Sequence, residues 1–270
     1  MKFDDTKNIL STRNIVPSKK FGQNFLINEN ISKELVDFVD TNNVDCIIEI
    51  GPGLGAITEF LVQKNVKLIA VEVDKRLGEI IKKKFPQIEV IVQDCLKNDW
   101  VEMVKEYKNP IIVTNLPYSI STLAVIKFLK TDIIKTMYCM LQKEVVERMI
   151  AKKSTKQFNS FSVLCQYHSD ITKLKFIDRE LFLPIPDVDS LFIKINKNNN
   201  LYDAKFANFV KICFAQKRKT IVNNLKSLYK LDIIKSALEK INKNCNVRAE
   251  EFEINELLEF YKILSGLAKI

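Results

Sequence analysis

The sequence has few of the residues on which metal sites and histidine-based catalysis depend. Its 270 residues include one histidine, His168, and its six cysteines form no C-x-x-C pair. Zinc sites usually need several such ligands, and a hydrolytic triad needs a histidine beside its nucleophile. We therefore predict no metal site and expect His168 to be structural. We expect the cysteines to be reduced, buried thiols.

Long apolar segments are also missing. No uninterrupted apolar run reaches the roughly 18 residues that a membrane-spanning helix needs. The N-terminal stretch MKFDDTKNILSTRNIVPSKK is polar and of mixed charge, and it lacks the apolar centre of a secretory signal. These absences favour a cytoplasmic protein with no membrane partner.

Positive charge, by contrast, is in excess. The formal net charge is +9 and the pI is about 9.1. This suggests a polyanionic partner, nucleic acid first and an anionic membrane second. Lysine-rich usage in an AT-rich genome would explain the charge without any partner. Residues 201–270 contain 13 Lys or Arg and 8 Asp or Glu, so this segment carries +5, more than half of the excess.

Short apolar segments alternate with helical patterns between residues 46 and 141, as in parallel β–α–β units. The predicted strands are Cys46–Ile50, Leu68–Val71, Ile88–Val92, Ile111–Val113, Thr136–Leu141, Ile171–Ile177 and Ser190–Ile195. The predicted helices around them are Glu29–Asp40, Ile57–Lys64, Lys75–Phe85, Thr122–Leu129 and Lys143–Lys152. The pattern predicts an α/β fold with a mostly parallel sheet between layers of helices.

A polar break at Asn196–Asn200 contains no apolar side chain and marks a predicted domain boundary. The pattern after it is helical throughout. The predicted helices there are Ala204–Gln216, Ile221–Leu228, Ile233–Ile241 and Asn255–Leu264. We therefore predict two consecutive domains, an α/β domain over residues 1–197 and a small all-α domain over residues 201–270.

A glycine-rich turn, G-P-G-L-G-A, follows the first predicted strand of the α/β pattern. Gly51, Gly53 and Ala56 match the G-x-G-x-x-G/A pattern, in which the backbone approaches a ligand at the beginning of a helix. Glu72 lies 21 positions after Gly51, at the end of the next strand, where a carboxylate can accept hydrogen bonds from both ribose hydroxyls. Asp74 is an alternative acceptor, although Glu72 is closer to the strand end. This pattern fits NAD and S-adenosylmethionine equally well.

Asp94 follows the third strand of the same pattern. An acidic residue at this point can accept a hydrogen bond from the amino group of adenine. Because NAD enzymes do not usually need an acid there, Asp94 favours S-adenosylmethionine. An aspartate in an ordinary turn or at a helix N-terminus would give the same local sequence.

The segment N-L-P-Y, residues 115–118, follows the fourth strand. The side-chain oxygen of Asn115 and the carbonyl oxygen of Leu116 can both accept hydrogen bonds from one exocyclic amino group. An adenine N6 held in this way would direct its lone pair at a methyl donor. Pro117 fixes the loop and donates no competing hydrogen bond, and Tyr118 can stack on a flipped base. The reaction would then depend mainly on positioning, without a strong general base.

Together these motifs resemble the small-subunit rRNA adenine dimethyltransferases, a family that includes the bacterial kasugamycin-sensitivity methylase. The resemblance runs over nearly the whole chain. Four further segments carry it: K-K-F-G-Q-N-F-L at 19–26, Q-K-E-V-V-E-R at 142–148, F-L-P-I-P-D-V-D-S at 182–190 and F-A-Q-K-R-K-T-I-V-N-N-L at 214–225. The last of these is highly specific.

The resemblance implies a Rossmann-like class I methyltransferase that uses S-adenosylmethionine. Its seven-stranded, mostly parallel sheet would have an antiparallel edge strand, and a helical RNA-binding domain would follow. The implied substrate is the N6 amine of two adjacent adenosines in the 3′-terminal hairpin of small-subunit (16S) rRNA, within a pre-30S particle. No coiled-coil seam is visible in the sequence, and we expect a monomer.

The resemblance also implies roles for particular residues. The cofactor-binding residues would be Asn24, Leu26, Gly51, Glu72, Asp94 and Asn115. The catalytic residues would be Asn115, Leu116, Pro117, Tyr118 and Phe182, with the adenine held between the rings of Tyr118 and Phe182. The RNA-binding residues would be Lys217, Arg218 and Lys219. Phe182 could instead be an ordinary core residue, and the three cations could be a solvated helix end.

The chain departs from the family pattern in three places, which involve four residues, and three other functions compete with this one. Leu123 stands where proline is usual, Phe158 and Asn159 stand where Tyr-Gly is common, and Lys217 replaces an arginine. The first two departures concern loop shape, and the third removes one possible bidentate phosphate contact. The competing functions are a large-subunit (23S) rRNA methylase of the macrolide-resistance type, an rRNA-binding ribosome assembly factor with incidental catalysis, and a Rossmann dehydrogenase.

Overall fold

The computed structural model describes residues 3–18 and 22–267, so Lys19, Lys20 and Phe21 of the K-K-F-G-Q-N-F-L segment lie outside the described residues. The described strands are β1 (Phe25–Leu26), β2 (Cys46–Ile50), β3 (Lys67–Glu72), β4 (Glu89–Val92), β5 (Pro110–Asn115), β6 (Thr136–Gln142), β7 (Ser169–Ile177), β8 (Phe182–Leu183) and β9 (Ser190–Lys197). The described α-helices are α1 (Phe3–Thr12), α2 (Glu29–Asp37), α3 (Thr58–Leu61), α4 (Lys75–Lys84), α5 (Trp100–Val104), α6 (Ser121–Lys130), α7 (Lys143–Met149), α8 (Ser160–His168), α9 (Ala204–Cys213), α10 (Ile221–Leu225), α11 (Leu231–Lys240) and α12 (Ile254–Leu267).

Seven of the strands form one sheet, in the order β4-β3-β2-β5-β6-β9-β7. The pairs β2–β3, β2–β5, β3–β4 and β5–β6 are parallel, and the pair β6–β9 is antiparallel. Every residue of β2 is buried, as expected for a parallel strand that is covered on both faces. The predicted α/β fold class is therefore confirmed.

The position of the antiparallel strand differs from the expectation. β9 lies between β6 and β7, and β7 forms the edge, so the prediction that the antiparallel strand lies at the edge was wrong. Hydrophobicity explains the order of these strands. The first four residues of β9, Ser190–Ile193, are all buried, whereas in β7 only the first and last residues, Ser169 and Ile177, are buried. Lysines in an edge strand also oppose pairing with another chain.

The register of the parallel strands aligns their carboxyl ends. Ile50 pairs with both Val71 and Thr114, and the Thr114 hydroxyl donates to the carbonyl oxygen of Ile50 over 2.7 Å. Glu72 pairs with Val92 on the next strand. The residues that follow these strands therefore all lie at the carboxyl ends of the strands, where ligands bind in open α/β sheets.

The described residues form two compact units. The sheet unit contains the residues up to 146 together with 170–197, and the helical unit contains 147–169 together with the residues from 198 onward. Residues 147–169 belong to the helical unit because Phe158 and Val163 lie in one buried cluster with Phe206 and Phe209. The chain therefore changes unit more than once, unlike the consecutive domains 1–197 and 201–270 that we predicted. One of these changes falls within the polar break at residues 196–200.

Three helices, α1, α5 and α8, were not predicted. Residues 160–168, which form α8, are buried or half-buried on all sides, so their apolar residues show no clear helical period. Asn159 begins α8 with a capping box, in which its Oδ1 accepts from the Phe161 and Ser162 amides while the Ser162 hydroxyl accepts from the Asn159 amide. The departure at Asn159 thus provides a helix cap. Leu123, the other loop departure, lies 58% exposed in the first turn of α6, where proline is also tolerated.

Residues that could carry chemistry elsewhere are mostly buried in cores. His168 is buried in the helical unit, with Nδ1 lying 3.1 Å from the Asn200 carbonyl oxygen and its ring beside those of Tyr167 and Tyr202. All six cysteines are free thiols, of which Cys245 alone is exposed. In the part of the chain that the structure describes, no helix is both long and apolar enough to cross a membrane.

Candidate active site

A cavity lies at the carboxyl ends of β2, β3, β4 and β5 in the sheet unit. Its volume is about 1200 Å³, including the part that is open to solvent. Every residue predicted to bind the cofactor or to take part in catalysis lines this cavity: Asn24, Leu26, Gly51, Glu72, Asp94, Asn115, Leu116, Pro117, Tyr118 and Phe182. Residues that are far apart in the sequence therefore meet around one space.

The glycine-rich turn forms one wall of the cavity with bare backbone. Gly51 has φ +71° and donates its amide hydrogen to the Val71 carbonyl oxygen over 2.9 Å. A Cβ on Gly51 would lie 3.6 Å from the Asn115 carbonyl oxygen, and one on Gly53 would lie 3.3 Å from the Phe25 ring. Both glycines have positive φ, a conformation that other residues rarely adopt. This turn leaves room for a ligand where side chains would fill the space.

Glu72 ends β3 beside this turn and is 5% exposed. Its Oε2 accepts a hydrogen bond from the Gly53 amide at 3.2 Å, and its Oε1 accepts one from the Asp74 amide at 2.9 Å. Burial raises the pKa of Glu72 to about 7, although both amide donors oppose this shift. Each carboxylate oxygen has a further lone pair with which to accept a ligand hydroxyl.

Asp74, the alternative acceptor, has a different environment. Its Oδ1 accepts from the Arg76 amide at the beginning of α4, and its Oδ2 lies 2.6 Å from the Arg76 guanidinium. The Gln23 side chain also donates to Asp74, over 3.0 Å. Hydrogen bonds from Arg76 lower the pKa of Asp74 to about 2. Asp74 therefore caps a helix and ties the G-Q-N-F-L segment to this loop.

The N-L-P-Y segment continues directly from β5. Asn115 is the last residue of the strand and is partly exposed, whereas Leu116 is 1% exposed. The Tyr118 hydroxyl lies 3.3 Å from the hydroxyl of Ser190, the first residue of β9. This contact connects the N-L-P-Y segment to the F-L-P-I-P-D-V-D-S segment. It also gives the ring of Tyr118 a fixed point at the side of the cavity.

Phe182 belongs to a small ladder that joins two of the motifs. Phe25 pairs with Leu183, and Leu26 pairs with Phe182, in the antiparallel β1–β8 pair. Phe182 is 2% exposed and lies in the main apolar cluster of the sheet unit, yet its ring also lines the cavity. The two predicted roles of Phe182, core residue and wall of the substrate site, are therefore compatible in this position.

Glu49 is a cavity residue for which the sequence analysis predicted no role. It is 2% exposed in β2, and its Oε2 has no hydrogen-bond partner among the described residues. Burial raises the pKa of Glu49 to about 8, so this carboxyl is protonated at neutral pH. The available signal was an acid within an otherwise apolar buried strand, C-I-I-E-I.

The three predicted RNA-binding residues lie in the helical unit and have unequal surroundings. The Lys217 ammonium donates to the carbonyl oxygens of Lys156 and Phe158, and it lies 3.2 Å from the Glu250 carboxylate. Arg218 and Lys219 are exposed. Lys217 therefore connects three parts of the helical unit, whereas its two neighbours are accessible to a polyanion.

Relatives of the chain were found among curated proteins. The Ribosomal RNA small subunit methyltransferase A of Ureaplasma parvum serovar 3 (strain ATCC 27815 / 27 / NCTC 11736) is 38% identical, over 96% of this chain and 98% of the relative. The protein of the same name from Malacoplasma penetrans (strain HF-2) is 42% identical, over 83% of each chain.

The fold has matches among solved structures. A dimethyladenosine transferase from Plasmodium falciparum superposes with a TM-score of 0.77 and 24% identity, over 90% of this chain and 98% of that chain. The 23S rRNA methyltransferase ErmE superposes with a TM-score of 0.67 and 20% identity, over 89% of this chain and 99% of that chain. These similarities concern the fold. The family model described as Ribosomal RNA adenine dimethylase matches residues 17–265, and the chain belongs to that family.

Proposed function

We propose that the protein transfers methyl groups from S-adenosylmethionine to the N6 amines of two adjacent adenosines in the 3′-terminal hairpin of small-subunit rRNA. The observation that carries this proposal is the convergence of Gly51, Glu72, Asp94 and the N-L-P-Y segment on one cavity. The names of the curated relatives support the small subunit as the source of the RNA. The substrate would be a pre-30S particle in the cytoplasm, and the protein would act as a monomer.

The residues of the cavity fit the cofactor. The bare backbone at Gly51 and Gly53 leaves space that a Cβ would occupy. Glu72 would accept hydrogen bonds from the ribose hydroxyls, and Asp94 would accept one from the adenine amino group. Asn24 and Leu26 would complete this part of the site. When bound, the cofactor supplies an electrophilic methyl group on a positively charged sulfur.

The N-L-P-Y segment would orient the target amine. The Asn115 side-chain oxygen and the Leu116 carbonyl oxygen would each accept one hydrogen from N6, so that the nitrogen lone pair is directed into the cavity. Pro117 fixes the backbone directly after these two residues and has no amide hydrogen to compete. The rings of Tyr118 and Phe182 would hold the adenine from opposite sides. Positioning would supply most of the rate acceleration, because an alkylated amine is acidic enough to lose its proton to water.

Recognition of the RNA backbone would fall to exposed cations of the helical unit. Arg218 and Lys219 are exposed next to each other and suit phosphate contacts. Binding should therefore weaken steeply with salt. Lys217, whose ammonium already has three partners in the helical unit, would support these contacts indirectly.

The test is mass spectrometry of RNA from particles incubated with the protein and labelled S-adenosylmethionine. Small-subunit particles reconstituted from transcribed RNA carry no earlier modification, and large-subunit particles prepared in the same way are the control. We expect two dimethyladenosines in the small-subunit RNA. Methylation of the large-subunit RNA instead would favour the macrolide-resistance type of methylase. Particle binding without methyl transfer would favour an assembly factor.

A further inference from the structure

The ammonium group of Lys127, in α6, is surrounded by the loop that follows β4. Its Nζ donates to the carbonyl oxygens of Cys95 at 2.9 Å, of Leu96 at 3.0 Å and of Asn98. It also lies 4.8 Å from the centre of the Trp100 ring, whose Nε1 donates to the Cys95 carbonyl oxygen over 3.0 Å. The Lys127 ammonium thus binds three carbonyl oxygens of a single short loop. These bonds use all three of its N–H groups.

The same loop holds Asp94, and the same residues set the direction of its side chain. The Leu96 amide donates to Asp94 Oδ1 over 2.9 Å. The Asp94 carbonyl oxygen accepts from the amides of Lys97 at 2.9 Å and Asn98 at 3.2 Å. Leu96 and Asn98 therefore bind Asp94 through their amides and Lys127 through their carbonyls. A substitution of Lys127 would therefore alter the position of the Asp94 side chain, and Asp94 lines the cavity.

We propose that Lys127 is a positioning residue for the adenine of the cofactor. By holding residues 95–98, it keeps the Asp94 carboxylate directed at the adenine amino group. This inference rests on the proposed function, in which Asp94 accepts that hydrogen bond. Lys127 is not among the residues that line the cavity, so its effect on cofactor binding passes through the loop.

A matched control is available in the same unit. Lys197 is also half-buried, its ammonium donates to the carbonyl oxygen of Thr131, and it lies 4.7 Å from the centre of the Phe128 ring. Lys197 therefore has the same kind of environment, a carbonyl and an aromatic ring, but it contacts no residue of the loop at 94–98. Loss of either ammonium should lower the melting temperature, but only loss of the Lys127 ammonium should alter cofactor affinity.

The experiment compares Lys127→Met, Lys127→Arg and Lys197→Met with the unaltered chain. Calorimetry at a temperature well below all melting temperatures gives the Kd of S-adenosylmethionine and of an analogue with a 6-oxo group in place of the adenine amino group. We expect Lys127→Met to raise the Kd of S-adenosylmethionine about tenfold. Its effect on the analogue should be much smaller, since the analogue has no amino group to donate to Asp94. Lys127→Arg should retain most of the affinity, and Lys197→Met should leave both Kd values unchanged.

Two results would overturn the inference. One is an unchanged Kd in Lys127→Met, and the other is an equal loss of affinity for both ligands. If Lys127→Met does not fold, Trp100→Phe removes one hydrogen bond from the same loop, and it should weaken S-adenosylmethionine more than the analogue. An equal effect of Trp100→Phe on both ligands would likewise overturn the inference. A failure of the unaltered chain to bind S-adenosylmethionine at all would instead contradict the proposed function itself.

Discussion

The residues that line the cavity of the sheet unit come from distant parts of the sequence, whereas the main motif of the helical unit is one continuous segment, 214–225. In the sheet unit, strand register brings the separated residues together at the carboxyl ends of the strands. In the helical unit, hydrogen bonds within the segment, or to the residue just before it, stabilise the local fold. The Asn224 side chain donates to the carbonyl oxygens of Cys213 at 2.7 Å and Gln216 at 3.3 Å.

This comparison separates two reasons why a motif can be distinctive. Separated residues that converge on an open cavity indicate a ligand, because folding alone does not require polar groups to face one space. A continuous motif whose polar groups bond to one another can instead be required by local structure. Variants at the cavity of the sheet unit should therefore affect methyl transfer. Many variants in segment 214–225 of the helical unit should instead affect stability.

The largest effect is expected from Asn115→Ala, which removes one of the two proposed acceptors for the target amine. We expect kcat to fall about a hundredfold to a thousandfold, as for the loss of one polarising group at other active sites. The melting temperature should change little, because Asn115 is partly exposed. Single-turnover methyl transfer is the measurement. Asn109→Ala, an exposed asparagine beside the other end of β5, is the control and should retain full activity.

The next effect concerns Tyr118, for which ring and hydroxyl can be separated. Tyr118→Ala removes the ring and should lower kcat/KM for RNA about tenfold to a hundredfold, the usual range for one stacked base. Tyr118→Phe keeps the ring and loses only the contact with Ser190, so it should lose a few-fold. Ser190→Ala should match Tyr118→Phe. A Tyr118→Phe variant as inactive as Tyr118→Ala would show that the hydroxyl has a role of its own.

A smaller effect tests the helical unit, with RNA affinity measured across a salt series. The double variant Arg218→Ala, Lys219→Ala should weaken binding and reduce the slope of log K against log salt by about 2, roughly one for each lost phosphate contact. Lys217→Met should leave that slope unchanged. It should lower the free energy of unfolding by on the order of 1 kcal/mol, since its ion pair with Glu250 is partly screened, with the Lys217 side chain 38% exposed. A reduced slope in Lys217→Met without a loss of stability would instead indicate that Lys217 contacts the RNA.

The last prediction concerns the stability of the sheet unit, not its activity, and tests the buried acid Glu49. Its pKa is raised from 4.5 to about 8, so the folded protein keeps a proton that the unfolded chain releases. The resulting stability is fully present below about pH 4.5 and is lost as the pH rises through about 8. Glu49→Gln should reduce this loss by on the order of 3 kcal/mol between pH 5 and pH 8. Chemical denaturation at several pH values is the measurement, with Glu79→Gln on the exposed face of α4 as the control.

Part of the pH dependence should remain in Glu49→Gln. Glu72, with its pKa raised by burial to about 7, contributes with the same sign over a similar range. The Glu49→Gln, Glu72→Gln double variant should therefore lose less stability between pH 5 and pH 8 than either single variant. A slope unchanged in both variants would mean that neither carboxyl is protonated in the folded protein.

Local patterns were sufficient for most of the sheet. Strand β2 begins and ends where its apolar run predicted, and β3 and β5 extend the predicted strands by one or two residues at each end. Apart from Glu49, the predicted segments are apolar on both faces, and polar residues, glycine or proline bound them, so their limits are visible locally. Helix α8 was missed because it is buried or half-buried on all sides, so its apolar residues carry little periodic signal. The order of β9 and β7 was missed because it depends on which strand can be buried.

Sequence patterns alone were enough to identify the strands, the glycine-rich turn, the acids at the strand ends and the family. These features depend on residues that are close together in the chain, or on spacings that the β–α–β pattern fixes. The packing of distant residues was needed to show that Asp74 caps a helix while Glu72 faces the cavity, that Glu49 is buried there, and that Lys217 is bound within its own unit. The contacts of Lys217 come from residues 156, 158 and 250, and burial depends on everything that covers a side chain. No local pattern contains that information.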